Sequence, residues 1–375
     1  MSFRLVFGCV PFIVWALTCL AFVRPSRLGK AAKGVWCGVL LVCFGKFLWF
    51  KLLGGDAFVP DLPEKLIWLM NWFYSGAFVL FALAAVSLRL QFKFKMMLLP
   101  ALSWLLAGWG VWNGIRLPEI EELELEYADL PKGLEGYRIV HISDLHVTTA
   151  ARRWRTEGVV DMVNRLKPDL ICITGDMMDG DPVRFKGFIE PIRRLSARDG
   201  VYASTGNHEF YHRFDLWLPV YESWGIRFLR DEADFPHPEL ALAGVDDEAA
   251  NRFRSDGAGS PDVARAFAGA GASRFRLLME HRPGNAMDNA RKHGVDLQLS
   301  GHTHGGVMPL MSWLVAGWNN GFTKGVYDLP GGGRLYVSPG SGQWAGFPMR
   351  LFNPSVVTVI TLVSGQSQNS CKSGR

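Results

Sequence analysis

Five short apolar runs in this 375-residue sequence end in side chains that can hold a metal or move a proton. Residues 137–142 run into Ser143-Asp144-Leu145-His146, and residues 170–174 into Gly175-Asp176. Residues 201–204 lead to Thr205-Gly206-Asn207-His208-Glu209 and residues 275–279 to Glu280-His281-Arg282. Residues 295–299 lead to Ser300-Gly301-His302-Thr303-His304-Gly305-Gly306. Of nine histidines, 146, 208, 281, 302 and 304 occupy these corners, while 141, 212, 237 and 293 do not. Asp-x-His or Gly-Asp alone commonly marks an ordinary turn. His-x-His says more, because alternate residues of an extended segment point the same way. Together the corners supply imidazoles, carboxylates and one amide. Such a set suits two divalent cations ~3.5–4 Å apart, which bind a phosphate and acidify a bridging water. One carboxylate must then reach both ions. Mixed nitrogen and oxygen donors favour Mn²⁺, Fe or Zn²⁺ over Ca²⁺. A thiolate site is excluded, since no cysteine lies in any corner. The resulting hydroxide would attack phosphorus in line, and an imidazole would protonate the leaving oxygen.

The elements that must position these residues are strands alternating with helices. Further apolar runs occur at 240–243, 335–337 and 356–362. Val159, Val160, Val163 and Leu166 form one stripe at helical spacing; Phe185, Phe188, Ile189, Ile192 and Leu195 form another. Both read as core faces. The pattern predicts an α/β layered fold with mixed sheets, and ligands gather at the carboxyl ends of strands in such folds. Glycines at 175, 206, 301, 305 and 306 fit tight turns beside a ligand.

The ordered set Asp144-x-His146, Gly175-Asp176, Gly206-Asn207-His208-Glu209, His281 and Gly301-His302-x-His304 resembles the calcineurin-like metallophosphoesterase superfamily. Leu130-Pro131 ahead of the first corner and Gly-His-Thr-His-Gly-Gly are similar to its bacterial membrane-associated branch. That branch includes phosphodiesterases and enzymes cleaving UDP-2,3-diacylglucosamine. The resemblance implies a four-layer α/β/β/α sandwich. It implies that Asp144, His146 and His304 hold one metal, that Asn207, His281 and His302 hold a second, and that Asp176 bridges them. His208 would face the phosphate as acid or transition-state stabiliser, and Glu209 would support its loop. Val307 stands where the branch often has Gln, a departure that touches substrate contacts and not ligands.

The N-terminal third has another character. The chain is 49% hydrophobic, and eight of its 14 Trp precede residue 113. Stretches 5–23, 34–50, 66–88 and 96–112 approach the ~20 apolar residues that a bilayer requires. Residues 1–116 hold 12 Lys and Arg against 3 Asp and Glu, leaving 28 against 32 for residues 117–375. The basic excess thus belongs to the apolar third, which argues against a nucleic-acid partner. The cysteines, none at CxxC spacing, read as buried apolar residues. The expected organisation is a membrane region of about four helices at 1–116, a metallophosphoesterase domain at 117–364 and a flexible polar tail at 365–375, with 113–118 as linker. Lys46, inside a span, is expected to snorkel or, less simply, to line a site. Basic loops at 24–33 and 89–95 place a multi-pass chain in a bacterial cytoplasmic membrane with its catalytic domain outside.

The function expected is a membrane-anchored two-metal phosphohydrolase, Mn²⁺ first among metals, acting on a phosphodiester or pyrophosphate of a phosphorylated lipid or lipid-linked substrate. Met308-Pro309 opens an apolar stretch to Trp318 that would either cover the core or form a lip toward acyl chains. Alternatives are a phosphoprotein phosphatase, favoured by basic residues near the cleft such as Arg282 and Arg350, and a membrane sensor or transporter with an inactive metal-binding domain.

Overall fold

A computed structural model of the chain describes residues 3–87, 95–253, 261–271 and 274–365. The basic loop expected at 89–95 and the tail expected at 365–375 fall almost wholly outside them. The chain forms two compact units. The first holds residues 1–116 with 148–151 and 343–354, the second residues 117–147, 152–342 and 355–375.

In the first unit, helices span Phe3–Thr18, Lys30–Phe44, Lys46–Gly54, Glu64–Val86 and Lys95–Ile115. Phe22, Leu40, Phe44, Leu80 and Leu99 form its core. Gly76 lets two helices close up: a Cβ there would lie 2.7 Å from the Trp104 indole, the small-residue packing that membrane helices favour. Among the described residues, one helix, Glu64–Val86, is long and apolar enough to cross a membrane alone. The pair Lys30–Phe44 and Lys46–Gly54, bent by 60°, reaches that length only together. Of the four stretches expected as spans, one described helix therefore qualifies by length and composition, or two with the bent pair. Gly8–Val23 is too short, and Lys95–Ile115 is diluted by Gly, Ser and Asn.

Lys46 does not snorkel. The residue is 1% exposed, and its ammonium donates to the Ala345 carbonyl at 2.6 Å. The rings of Phe47 and Tyr74 lie 4.3 and 4.5 Å away, a cation–π setting that offsets lost hydration. Arg350, also in this unit, is fully buried, so it offers no basic surface of the kind a phosphoprotein phosphatase would use.

The second unit contains twelve strands among its described residues: β1 Glu119–Tyr127, β2 Arg138–Ile142, β3 Leu170–Thr174, β4 Val201–Ser204, β5 Ile226–Phe228, β6 Glu232–His237, β7 Leu240–Gly244, β8 Phe275–Met279, β9 Leu297–Ser300, β10 Gly325–Asp328, β11 Arg334–Val337 and β12 Val356–Ser364. They build two six-stranded sheets, ordered β1-β12-β2-β3-β4-β5 and β10-β11-β9-β8-β7-β6. Both are mixed: β2, β3, β4 and β5 run parallel, as do β7, β8, β9 and β11. The antiparallel pairs are β12 with β2, β10 with β11 and β6 with β7.

The sheets bury one face against each other. Ile139, Cys172 and Ile360 from the first meet Leu242, Leu277 and Leu299 from the second. Alternate residues point the opposite way and are covered by helices. Val159, Val160 and Val163 bury the inner side of Arg153–Arg165, and Ala286 and Ala290 pack Ala286–His293 onto Leu335 and Val337. The result is the helix–sheet–sheet–helix sandwich. The linker is shorter than expected, since helix Lys95–Ile115 and β1 leave three residues between them.

Candidate metal centre

The corners follow β2, β3 and β4, adjacent and parallel in one sheet, and β8 and β9, adjacent and parallel in the other. Parallel direction puts each sheet's corners at one edge. His281 ties the two edges together, its ring Nδ1 donating to the Thr174 carbonyl at 2.6 Å.

The donor atoms of Asp144, His146 and His304 converge, as do those of Asp144, Asp176 and His281. His146 Nε2 lies 3.2 Å from His304 Nε2. Asp176 Oδ2 lies 3.5 Å from His146 Nε2 and 3.3 Å from His281 Nε2, so one carboxylate oxygen faces both groups. Asn207 is buried, and its Oδ1 has no hydrogen-bond partner. His302 stands edge-on to His281 with ring centroids 5.1 Å apart, and its backbone N–H donates to Asp144 at 3.1 Å.

These residues fit divalent cations on two grounds. Asn207 Oδ1 is a buried acceptor without a partner, which costs ~1–3 kcal/mol unless something fills the gap. The Thr174 carbonyl takes His281 Nδ1, so Nε2 is the ring nitrogen left to face Asp176 Oδ2 at 3.3 Å and, once the ring is neutral, a cation. The second ground is strain: Asp144, His146, Asp176, His302 and His304 all have positive φ between 42 and 68°. Non-glycine residues rarely adopt that region, and such strain collects where function requires it. Close loop approach assists. A Cβ on Gly206 would lie 2.3 Å from Asp176 Oδ1, and one on Gly301 would lie 2.3 Å from Asp144 Oδ2.

Charge tells the same story. Burial would raise the Asp176 carboxyl, but His281 and His208 beside it hold it well below the usual range. Burial raises Asp144 and drives His302 well below its ordinary value, with His281 adding repulsion. A neutral His302 imidazole suits metal ligation.

Glu209 is structural. Its carboxylate accepts the backbone N–H groups of Asp176, Met177 and Gly206 at 2.9, 2.8 and 2.7 Å, which locks two corners together and caps helix Asn207–Tyr211. His208 is 7% exposed; its N–H donates to Asp176 Oδ1 at 2.9 Å. Its ring Nδ1 meets Asp179 Oδ1 at 2.6 Å. Burial works against protonation, but Asp179 and Asp176 prevail and push His208 up to about 9.

Asp179 is the residue the sequence did not single out. It also meets His146 Nδ1 at 3.2 Å, fixing that ring so that Nε2 faces Asp144 and His304. His212, counted among the histidines outside the corners, comes within 3.7 Å of the same carboxylate. The available signals were spacings: Asp179 lies three residues past Asp176, and His212 lies four past His208, about one helical turn. Outer-shell carboxylates of this kind typically carry 10–100-fold in metal affinity. Asp179→Asn should therefore weaken Mn²⁺ binding about tenfold or more with the fold intact. Calorimetric titration showing wild-type affinity would remove Asp179 from this role.

Residues 137–306 match the family model described as calcineurin-like phosphoesterase. The chain is 34% identical over 266 residues to a transmembrane protein with metallophosphoesterase domain from Danio rerio, covering 68% of this chain and 60% of that one. It is 30% identical over 276 residues to a metallophosphoesterase of Campylobacter jejuni, covering 73% and 70%. A metallophosphoesterase of Aquifex aeolicus is 33% identical over 245 residues, covering 65% of this chain and 91% of its own length. The zebrafish protein thus extends well beyond the matched stretch. With the motifs, the two-sheet sandwich and these relatives in agreement, the chain belongs to the calcineurin-like phosphoesterase family.

Proposed function

We propose that this protein is a membrane-anchored phosphohydrolase that uses two divalent cations, Mn²⁺ first, to cleave a phosphodiester or pyrophosphate bond in a lipid or lipid-linked substrate. The observation that carries the reading is Asp176 Oδ2 between His146 and His281, with the unpartnered Asn207 Oδ1 close in sequence to His208. Asp144, His146 and His304 would hold one cation, Asn207, His281 and His302 the other, and Asp176 both. When bound, the cations supply an acidified water and neutralise charge on the phosphate. The chain's own groups do the rest. Asp179 orients the His208 ring, and cationic His208 gives its proton to the leaving oxygen. Glu209 keeps the Asp176 and Asn207 corners in register.

Membrane anchoring rests on the 23-residue helix Glu64–Val86 and on relatives named as transmembrane proteins. With loop 24–33 on the cytoplasmic side of a bacterial membrane and Glu64–Val86 as the one crossing helix, the catalytic unit lies outside.

The test uses the full chain, in detergent and in spheroplasts. A chromogenic phosphodiester and a lipid phosphodiester in mixed micelles should both be hydrolysed with added Mn²⁺. EDTA should lower each rate at least ~100-fold, and Mn²⁺ should restore it. Intact spheroplasts should hydrolyse an impermeant diester as well as lysed ones do. Hydrolysis of soluble diesters with no lipid turned over would end the lipid assignment. Activity appearing only on lysis would reverse the orientation.

A further inference from the structure

Helix Pro309–Trp318 inverts the usual arrangement of a surface helix. Its ten residues, PLMSWLVAGW, include no charged side chain. Its outward stripe consists of Trp313, Leu314, Gly317 and Trp318, with Trp313 79% and Trp318 75% exposed. A water-facing helix carries polar residues on that side. Met311, Ser312, Val315 and Ala316 form the half-buried side. That side is fastened to the turn bearing His304. Ser312 Oγ donates to the Gly305 carbonyl at 2.8 Å. Gly306 is packed so tightly that a Cβ there would lie 2.2 Å from Ser312 Cα. Helix and metal-ligand turn therefore move together.

We propose that this helix docks on a lipid bilayer, seating Trp313 and Trp318 at headgroup depth and holding the His304 turn beside the membrane surface. Indole prefers that depth, being an apolar body with one N–H donor. A stripe without charge enters the interface with no ion to desolvate. The area argues for a bilayer over a second copy of the chain. At ~150–250 Å² per aromatic side chain, the stripe offers on the order of 450 Å², short of the ~800 Å² per partner of a stable protein complex. A bilayer demands no matching shape and already contacts this chain if the N-terminal unit is embedded. The inference rests on that reading and on the lipid-borne substrate, and it adds a second membrane contact coupled to the site.

Brominated-lipid quenching of tryptophan emission tests it in the full chain reconstituted into phosphatidylcholine vesicles. Wild type is compared with Trp313→Phe/Trp318→Phe, a substitution that keeps ring packing. The difference emission should be quenched by lipids brominated near the headgroup and shielded from aqueous iodide. Quenching by iodide with indifference to bromolipid overturns the proposal, and so does crosslinking of the two tryptophan positions across a dimer. In a second arm, Trp313→Asp/Trp318→Asp should keep soluble diester hydrolysis while losing about tenfold on vesicle-borne phosphodiester. Should neither protein hydrolyse any lipid phosphate while bromolipid still quenches, the docking stands and the substrate reading falls. Lipid hydrolysis unchanged in the Asp variant removes the docking and leaves the substrate reading intact.

Discussion

Asp176→Asn should abolish tight binding of the metal pair and lower kcat/KM by roughly 10³-fold or more, about 4 kcal/mol of transition-state stabilisation. The side chain changes by one atom in shape, so the effect isolates charge and ligation. Asp176 is the carboxylate that faces both donor groups, and an amide cannot serve two cations through one anionic oxygen. A competing effect is loss of fold stability. The Asp176 carboxyl is held well below its ordinary value, with burial opposing and His281 and His208 prevailing. A depressed carboxyl contributes stability that is present above its unfolded pKa and fades as pH falls through the folded one. At neutral pH the metal-free variant should therefore melt somewhat lower than metal-free wild type. Melting with and without Mn²⁺ separates the two effects, because a cation bound only by the folded state raises Tm by mass action. Wild type should show that rise, and the variant should show little of it. A variant that keeps the full Mn²⁺-dependent rise and activity within tenfold of wild type would remove Asp176 from the bridging position.

What was legible in the sequence was the part that local chemistry controls. Each corner combines a short strand with a turn carrying its donor within a few residues, so the five corners could be read one at a time. Asp179 escaped because its role comes from what it faces: nothing local distinguishes a carboxylate accepting from His146 and His208 from a solvated turn acid. Strand β1 escaped for another reason. Its sequence, EIEELELEY, is rich in glutamate, which strands disfavour, and its strand partner among the described residues is β12, parallel to it and more than 200 residues away. Lys46 was misread for a related cause. Snorkelling is the default for a lysine in an apolar helix, whereas its carbonyl acceptor, Ala345, comes from 299 residues downstream. The chain returns to the first unit at 343–354, and no periodicity within residues 1–116 announces that. Helix Pro309–Trp318 lay open to two readings, and the structure holds part of each: one side packs on the His304 turn, while Trp313 and Trp318 stand exposed on the other.

His208→Ala should cost about 10²–10⁴-fold in kcat on a substrate whose leaving group is an alkoxide, with a much smaller loss on a p-nitrophenyl ester. The difference follows from the leaving oxygen: an alkoxide needs its proton in the transition state, while p-nitrophenolate is stable without one. Metal ligation should survive, since the Nδ1 of His208 goes to Asp179 and Asn207 carries the neighbouring ligand position. A loss of equal size on both esters would instead assign His208 to charge stabilisation of the phosphate. pH provides the second discriminator. His208 is pushed up to about 9 by Asp179 and Asp176 against the effect of burial, and bound cations would draw that value down by repulsion. The protonated form is the active one. Raising pH through its pKa therefore discharges the acid and lowers the rate on the alkyl substrate, while lowering pH costs nothing through this group. The wild-type profile should show an alkaline limb at or below pH 9 that disappears in His208→Ala and is weak for the p-nitrophenyl ester even in wild type. Persistence of the same limb in the variant would trace it to another group and leave His208 without the proton.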